Sequence, residues 1–353
     1  MQDEKGGATI SYTGKNRPRR TRLDDLAKSC GVSIATASRA LAGEKGVSAE
    51  IRQKVIEAAK AAGYSTAGAT VANRVVLAAS GAAMLDYMRN QFTWHVLDGL
   101  KERAERLGFE IVTRQIVDAN AQEAVLAEVR DDAAVGGLLI LTIDDEALLT
   151  AASAIGKPVV LINGDDPYMR LGSVTPCNRS AARLAAEHLI SLGHRRIAFL
   201  VRAGRRTIER RQEGWRDALK HHGLPHDDGM VLTVDDWLPE LGSAAITAEI
   251  EKNGLWFTAI LAANDSLAYG AISGLKSRGI SVPGMVSVVG IDDLPQAAFL
   301  DPPLTTMHIP MREIGATALD LLRDGMLGLA DPPRRIELGC PMMVRGSAGP
   351  VHF

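Results

Sequence analysis

From residue 75 onward the chain alternates short apolar runs with amphipathic stretches of helical length, and this alternation constrains the fold more than any other feature. The runs VVLAA, EIVT, GGLLIL and PVVLI form one series, and IAFLV, MVLTV, AILAA and VSVVG form a second. Between strands, the stretches 94–107, 179–192, 210–221, 242–253 and 264–277 read as helices. Parallel strands cannot be joined by a tight turn and need a crossover, usually a helix. The pattern therefore predicts parallel sheets covered by helices on both faces, and two series predict two such sheets. With 353 residues and 46% apolar composition, the chain can bury cores of that size.

Residues 21–64 follow a different rule. Leu23, Leu26 and Ala27 give a first helix one apolar face, Gly31 sits where the chain turns sharply, and Ser33 is placed to cap a second helix. Val32, Ala37, Ala40 and Leu41 can close a small core with Val47, Ile51, Val55 and Ala59 of a third helix capped by Ser48. This is a helix-turn-helix. The outer face of its second helix holds Ile34, Ala35, Thr36, Ser38 and Arg39. Between Lys15 and Lys60 there are eleven basic and five acidic residues, a net +6 in a chain of net −2, so the remainder carries −8. A basic head on an acidic body localises polyanion binding to the N-terminal region, because phosphate neutralisation drives sequence-independent affinity.

Other classes fit less well. The three cysteines, Cys30, Cys177 and Cys340, are scattered and odd in number, which suggests neither a disulfide framework nor a metal site. The first twenty residues lack the apolar run of a signal peptide, and no later run is long enough to span a bilayer. A cytoplasmic location is expected, with no membrane partner. An enzyme would need a site, yet Gly156-Lys157 is followed by Pro158 rather than Ser or Thr, there is no Gly-x-Ser-x-Gly, and no histidines are paired for a metal. His188 and His194 read as structural, and no cofactor is expected. A transport-type binding protein would need export and would leave the basic head without a purpose.

The run GVSIATASRALAGEKGVSAEIRQKVIEAAKAAGY resembles the headpiece of the lactose-repressor (LacI/GalR) family. HLISLGHRRIAFL, RRQEGWRDAL, LAANDSLAYGAI, VPGMVSVVGIDD and DPPLTTMHIPMREIG resemble that family's landmarks in the same order, so the likeness covers almost all of residues 21–345. It implies a small all-α helix-turn-helix headpiece and a bilobed α/β body like periplasmic binding proteins, with two doubly wound parallel sheets and three crossovers. The expected divisions are a flexible arm at 1–20, the DNA-binding domain at 21–64, a hinge linker at 65–74, an effector-binding and dimerisation body at 75–345 and a C-terminal tail at 346–353. One lobe is expected to hold 75–174 with 306–329, and the other 175–305 with the final strands. The resemblance also implies a homodimer on a palindromic DNA operator, a small effector that alters DNA affinity, and most simply a repressor of carbon-source genes. Without a heptad tail after residue 345, a coiled-coil tetramer is not expected.

Ligands of open α/β sheets sit outside the carboxyl ends of the strands. There the resemblance points to Asn90 and Phe92, in a segment where relatives have Asn-Pro-Phe and this chain has Gln91, and to Arg211, Trp237 and Asp265 as clamp, stacking surface and acceptor. For Phe92 the competing reading is a core side chain, and for Asp265 a helix cap. Arg202, Arg205, Arg206, Arg210 and Arg211 fall within ten residues. Arg205 matches a position that contacts ligand in some relatives. The loop suggests an anionic effector, a sugar acid, sugar phosphate or small carboxylate, held by guanidinium contacts, with a solvated surface patch as the alternative. Otherwise the set suits a sugar.

On the DNA side, Ile34 and Ala35 occupy the positions that chiefly set operator choice in the family, and they can offer only apolar contact to thymine methyl groups. Arg39 is assigned a guanine or a phosphate, and Ser33, Thr36 and Ser38 the phosphates that fix register. The linker STAGATVANR lacks the Pro-Asn start and the leucine wedge of relatives, leaving Val71 as a small wedge and predicting weak DNA bending.

Overall fold

The computed structural model of the chain describes residues 23–41, 46–61, 72–80 and 91–351, in two units divided between residues 69 and 70. The expected arm, Val71 and Asn90 lie outside the described residues.

In the first unit, helices α1 (Leu23–Cys30), α2 (Ile34–Leu41) and α3 (Ala49–Ala61) pack pairwise. Their buried face is Leu23, Leu26, Ala27, Cys30, Ala37, Ala40, Val55 and Ala59. Gly31, at φ 71°, ends α1 in the left-handed conformation that a residue without Cβ adopts at no cost. Ser33 Oγ then accepts from the Thr36 backbone N–H at 3.1 Å, and Ser48 Oγ from that of Ile51 at 3.3 Å, so each following helix starts on a side-chain cap.

In the second unit the first sheet contains β1 (Arg74–Ser80), β2 (Glu110–Ile116), β3 (Val135–Leu141), β4 (Val159–Ile162), β5 (Gly172–Pro176) and β11 (Arg335–Leu338). Its order is β11-β5-β4-β3-β1-β2, all parallel. The second sheet contains β6 (Ile197–Val201), β7 (Val231–Thr233), β8 (Ala259–Ala262), β9 (Ser287–Asp292), β10 (Thr305–His308) and β12 (Met342–Met343). Its order is β12-β10-β9-β8-β6-β7, parallel except for β12 on β10. Central strands such as β3, β4, β6 and β8 are apolar and buried because helices cover both faces. Around the first sheet lie α4 (Gln91–Leu107), α5 (Ala119–Asp131), α6 (Glu146–Ser153) and α11 (Met311–Met326); around the second lie α7 (Asn178–Ser191), α8 (Arg206–His221), α9 (Pro239–Asn253) and α10 (Asp265–Ser277).

Three crossovers join the lobes, at residue 177, at 309–310 and at 339–341. Strand membership corrects two expectations. The first lobe takes α11 but not β10, which completes the second sheet, and β11 adds to the first sheet rather than the second. Hydrophobic periodicity cannot distinguish these, since a four-residue strand such as TTMH or RIEL carries no pattern that assigns it to one sheet. The expected tail is also part of the second lobe: Ser347 is fully buried, its Oγ accepting from Thr305 N at 2.8 Å and donating to Val288 O at 2.6 Å. Beyond it, Val351 N donates to Leu192 O at 3.0 Å. The Ser347 hydroxyl can be buried because it both accepts and donates a hydrogen bond.

Candidate functional site

In each sheet the strand order reverses beside the first strand, between β1 and β3 and between β6 and β8. A crevice opens at such a switch point, outside the carboxyl ends of the strands. Residues in positive φ gather at these ends: Thr142 (55°) after β3, Asn163 (50°) after β4, and Asp292 (145°) and Asp293 (59°) at the end of β9. Non-glycine residues held there carry local strain, a common mark of ligand sites.

Arg211 is 4% exposed, on the second turn of α8. Its Nε donates to Asn178 Oδ1 at 2.8 Å and its Nη1 to Ala263 O, and Nη1 stands 3.6 Å from Asp292 Oδ1. Burial pushes the Asp292 carboxyl up to about 7, opposed by the Arg211 charge. Sequence reasoning missed Asp292, although its place at the end of a strand in VVGIDD was a usable sign.

Asp265 is fully buried and faces its own lobe. Its Oδ2 accepts from Leu294 N at 2.9 Å and its Oδ1 from Thr306 Oγ1 at 2.5 Å. Burial pushes its carboxyl up to about 6. The cap of α10 is the preceding Asn264, whose Oδ1 accepts from Leu267 N at 2.9 Å. Asp265 thus braces the end of β9 next to Asp292.

Arg205 stands just before α8, without a side-chain cap bond, and reaches into the other lobe, with Nη2 donating to Asn163 O and Nε 3.5 Å from Asp144 Oδ2. Burial lowers its pKa against the pull of Asp144. The rest of the arginine loop is matched as well. Arg206 Nη2 pairs with Glu146 at 3.2 Å, Arg210 Nε with Asp165 at 2.8 Å, and Arg202 Nε donates to Asp235 O at 3.3 Å. Asp165 also receives Arg335. Arg205, Arg206 and Arg210 thus each face a carboxylate of the first lobe, Asp144, Glu146 and Asp165, a pairing between segments far apart in sequence.

Trp237 is half-buried, just ahead of α9, and packs against two apolar clusters, one confined to the second lobe and one that runs through both lobes. Phe92 is also half-buried against the core, but within the first turn of α4 rather than before the helix. The structure therefore brings Arg205, Arg211 and the Asp265–Asp292 pair to one edge. Among the described residues, Oδ1 of Asn163, Oγ1 of Thr207 and Nε of Arg205 itself are buried without a hydrogen-bond partner.

In the headpiece, Ser33, Ile34, Ala35 and Arg39 are exposed and Thr36 and Ser38 half-buried, while Ala37 and Ala40 anchor the opposite side of α2. Ile34 is 51% exposed, unusual for its type and unexplained by packing within this unit. Thr36 Oγ1 lies 2.8 Å from Ser33 Oγ, so both hydroxyls sit together at the helix start. Arg39 Nε donates to Ala35 O at 3.3 Å.

Comparison with known proteins places these two sites in context. Residues 22–67 match the model described as bacterial regulatory proteins, lacI family, and residues 186–348 match a periplasmic binding protein-like domain. The chain is 30% identical to the HTH-type transcriptional regulator DegA of Bacillus subtilis, over 94% of this chain and 99% of that protein. It is also 30% identical to the lactose operon repressor of Escherichia coli, over 85% and 83% respectively. Among solved structures it is similar to a complex of the transcriptional regulator CelR with cellobiose, with a TM-score of 0.71, 28% identity and coverage of 94% and 100%. The lac repressor dimer bound to operator and the anti-inducer ONPF gives a TM-score of 0.69 at 26% identity, again covering 94% and 100%. With its helix-turn-helix and ligand-binding body in that order, the chain belongs to the LacI family of bacterial DNA-binding transcriptional regulators.

Proposed function

We propose that this protein is a cytoplasmic repressor of carbon-source genes that binds a palindromic operator as a homodimer and responds to a neutral, sugar-like effector in the crevice between its lobes. The observation that carries the effector class is the charge balance at the strand ends. Arg205, Arg206, Arg210 and Arg211 each have a carboxylate within ion-pair reach, while the oxygens of Asn163 and Thr207, and the Nε of Arg205, are buried without a hydrogen-bond partner. A buried polar oxygen without a partner costs free energy, which a ligand hydroxyl relieves by donating to it. An anionic ligand would have to displace an existing carboxylate first. Trp237 offers an aromatic face of the kind that packs against sugar rings, and the cellobiose bound by CelR agrees with that class.

The dimer rests on the size of the headpiece. One recognition helix with a few exposed side chains reads a half-site only, and two-fold symmetry doubles both the contacts and the phosphate neutralisation. The effector acts by preferring one lobe arrangement, and that difference in affinity bounds the change in DNA binding.

Selection of genomic fragments by the purified full chain, followed by footprinting, tests the DNA half of this reading. The expected result is protection of two inverted half-sites about one helical turn apart. Protection of a single unpaired site would count against the dimer.

A further inference from the structure

Three arginines at the start of α8 in the second lobe meet three carboxylates of the first: Arg205 meets Asp144, Arg206 meets Glu146 and Arg210 meets Asp165. Each carboxylate is divided between the lobes. Asp144 Oδ1 accepts from Asp165 N at 3.3 Å within its own lobe, while its Oδ2 accepts from Arg206 N at 3.2 Å. Glu146 Oε1 accepts from Arg170 Nη2 at 2.9 Å, and its Oε2 from Arg206 Nη2 at 3.2 Å. Asp165 Oδ1 takes Arg335 of β11, and its Oδ2 accepts from Arg210 Nε at 2.8 Å. One oxygen of each is thus fixed in the first lobe and the other is held out to the second. A carboxylate already positioned by its own lobe loses less freedom on pairing across the crevice than a loose side chain would.

The arginines stand where they need such partners. Arg205 lies just before α8 and Arg206 is its first residue, and the N-terminal end of a helix disfavours cations. The Arg206 N–H is also among the first amides of the helix, which have no acceptor within it, and Asp144 of the other lobe supplies one. We propose that these three divided carboxylates form an ionic latch that holds the lobes together on the α8 side of the crevice. The lobe arrangement is then set in part by the chain's own charges. Its consequence for regulation rests on the effector reading given above, because an effector that favours another arrangement must overcome the latch, and one that favours this arrangement is helped by it.

The three pairs differ in their access to solvent. Glu146 is exposed and Arg206 half-buried, so dissolved salt screens this pair most. The Asp144 and Asp165 side chains are 8% and 7% exposed, so their pairs are screened much less. A nearly buried carboxylate that loses its cation is costly, and these two therefore resist separation of the lobes more than the outer pair does. Salt should loosen the latch from its outer pair inward without abolishing it.

The Arg206 amide reports the latch, because its acceptor lies in the other lobe. The test measures hydrogen–deuterium exchange at this amide in the full chain, resolved by fragmentation mass spectrometry. Glu146→Gln/Asp165→Asn, which leaves Asp144 in place, should speed exchange roughly tenfold, since the rate follows the local opening equilibrium and each pair shifts it severalfold. Arg210→Gln, a milder change on the other side of the seam, should give part of that rise. Raising sodium chloride from about 0.1 M to about 1 M shortens the screening length from about 10 Å to about 3 Å and should speed exchange more in the wild type than in the double variant. Glu213→Gln is the control: its carboxylate stands 3.8 Å from Arg210 Nη1 within the same lobe, and its loss should leave the Arg206 amide unchanged. Equal exchange in the wild type, Arg210→Gln and the double variant would overturn the latch, as would a rise in Glu213→Gln as large as that in Arg210→Gln. The readout involves no sugar, so the latch can fail while the effector reading stands, and the reverse.

Discussion

Arg211 and Asp292 meet at the carboxyl edge of the second sheet with Nη1 3.6 Å from Oδ1, both nearly excluded from solvent. The separation is longer than a hydrogen bond, so the pair is matched in charge without being closed. A ligand hydroxyl entering there can donate to the carboxylate without breaking a strong bond.

Removing one partner of this pair should cost more than removing both. Arg211→Ala leaves Asp292 buried without its cation and is expected to destabilise the chain by about 3–5 kcal/mol, with Arg211→Ala/Asp292→Asn recovering part of the loss. Urea unfolding of the full chain followed by tryptophan fluorescence measures both. Equal stability of the single and double variants would show that the charges do not interact.

Stability should fall as pH rises from about 4 to about 7. Asp265 and Asp292 have folded-state values raised to about 6 and about 7, above the unfolded carboxylate value of about 3.9. In that window the native state keeps protons that the unfolded state has released, so their contribution is complete below the unfolded value and is lost as pH passes the folded values. Melting temperatures across the window should decline in the wild type and decline less in Asp265→Asn. A profile of Asp265→Asn identical to wild type would contradict the assignment.

The arginine loop should bind anions only when its carboxylates are removed. Asp144 stands 3.5 Å from Arg205 and also accepts from Arg206 N at 3.2 Å, so Asp144→Asn leaves a cationic edge. Sulfate or phosphate should raise the melting temperature of Asp144→Asn and leave that of the wild type nearly unchanged. An equal rise in both would mean that the native loop already holds anions.

Two substitutions on α2 should separate reading from gripping. Ile34→Ala is expected to change the ranking of operator variants, since an apolar contact with a thymine methyl is specific to the base. Thr36→Ala should weaken all operators alike by removing a phosphate contact near Ser33. Fluorescence anisotropy across an operator library distinguishes them, and uniform losses for Ile34→Ala would contradict its role.

Local chemistry made the headpiece legible from sequence: Gly31, Ser33 and Ser48 each act through neighbours three or four residues away. The two strand series were legible for a similar reason, since burial on both faces writes continuous apolar runs into the chain. Lobe membership of β10 and β11 was not, because nothing in four-residue strands such as TTMH and RIEL records which sheet they join. The same limit hid the partners of the arginine loop. Asp144 and Asp165 are distant in sequence from Arg205 and Arg210, and their signs match only after the lobes have folded. Asp265 stood out for its motif, while Asp292, at the end of a different strand, is the carboxylate that faces Arg211.

A thermal-shift screen of the full chain against neutral mono- and disaccharides, including cellobiose, alongside sugar acids, sugar phosphates and small carboxylates tests the central claim most directly. A ligand at a hundred times its dissociation constant contributes about 2.7 kcal/mol, enough to move the melting temperature measurably. A rise with a neutral sugar that is lost in Asp292→Asn is the predicted result. A rise only with anions, retained in Asp292→Asn, would contradict the effector reading.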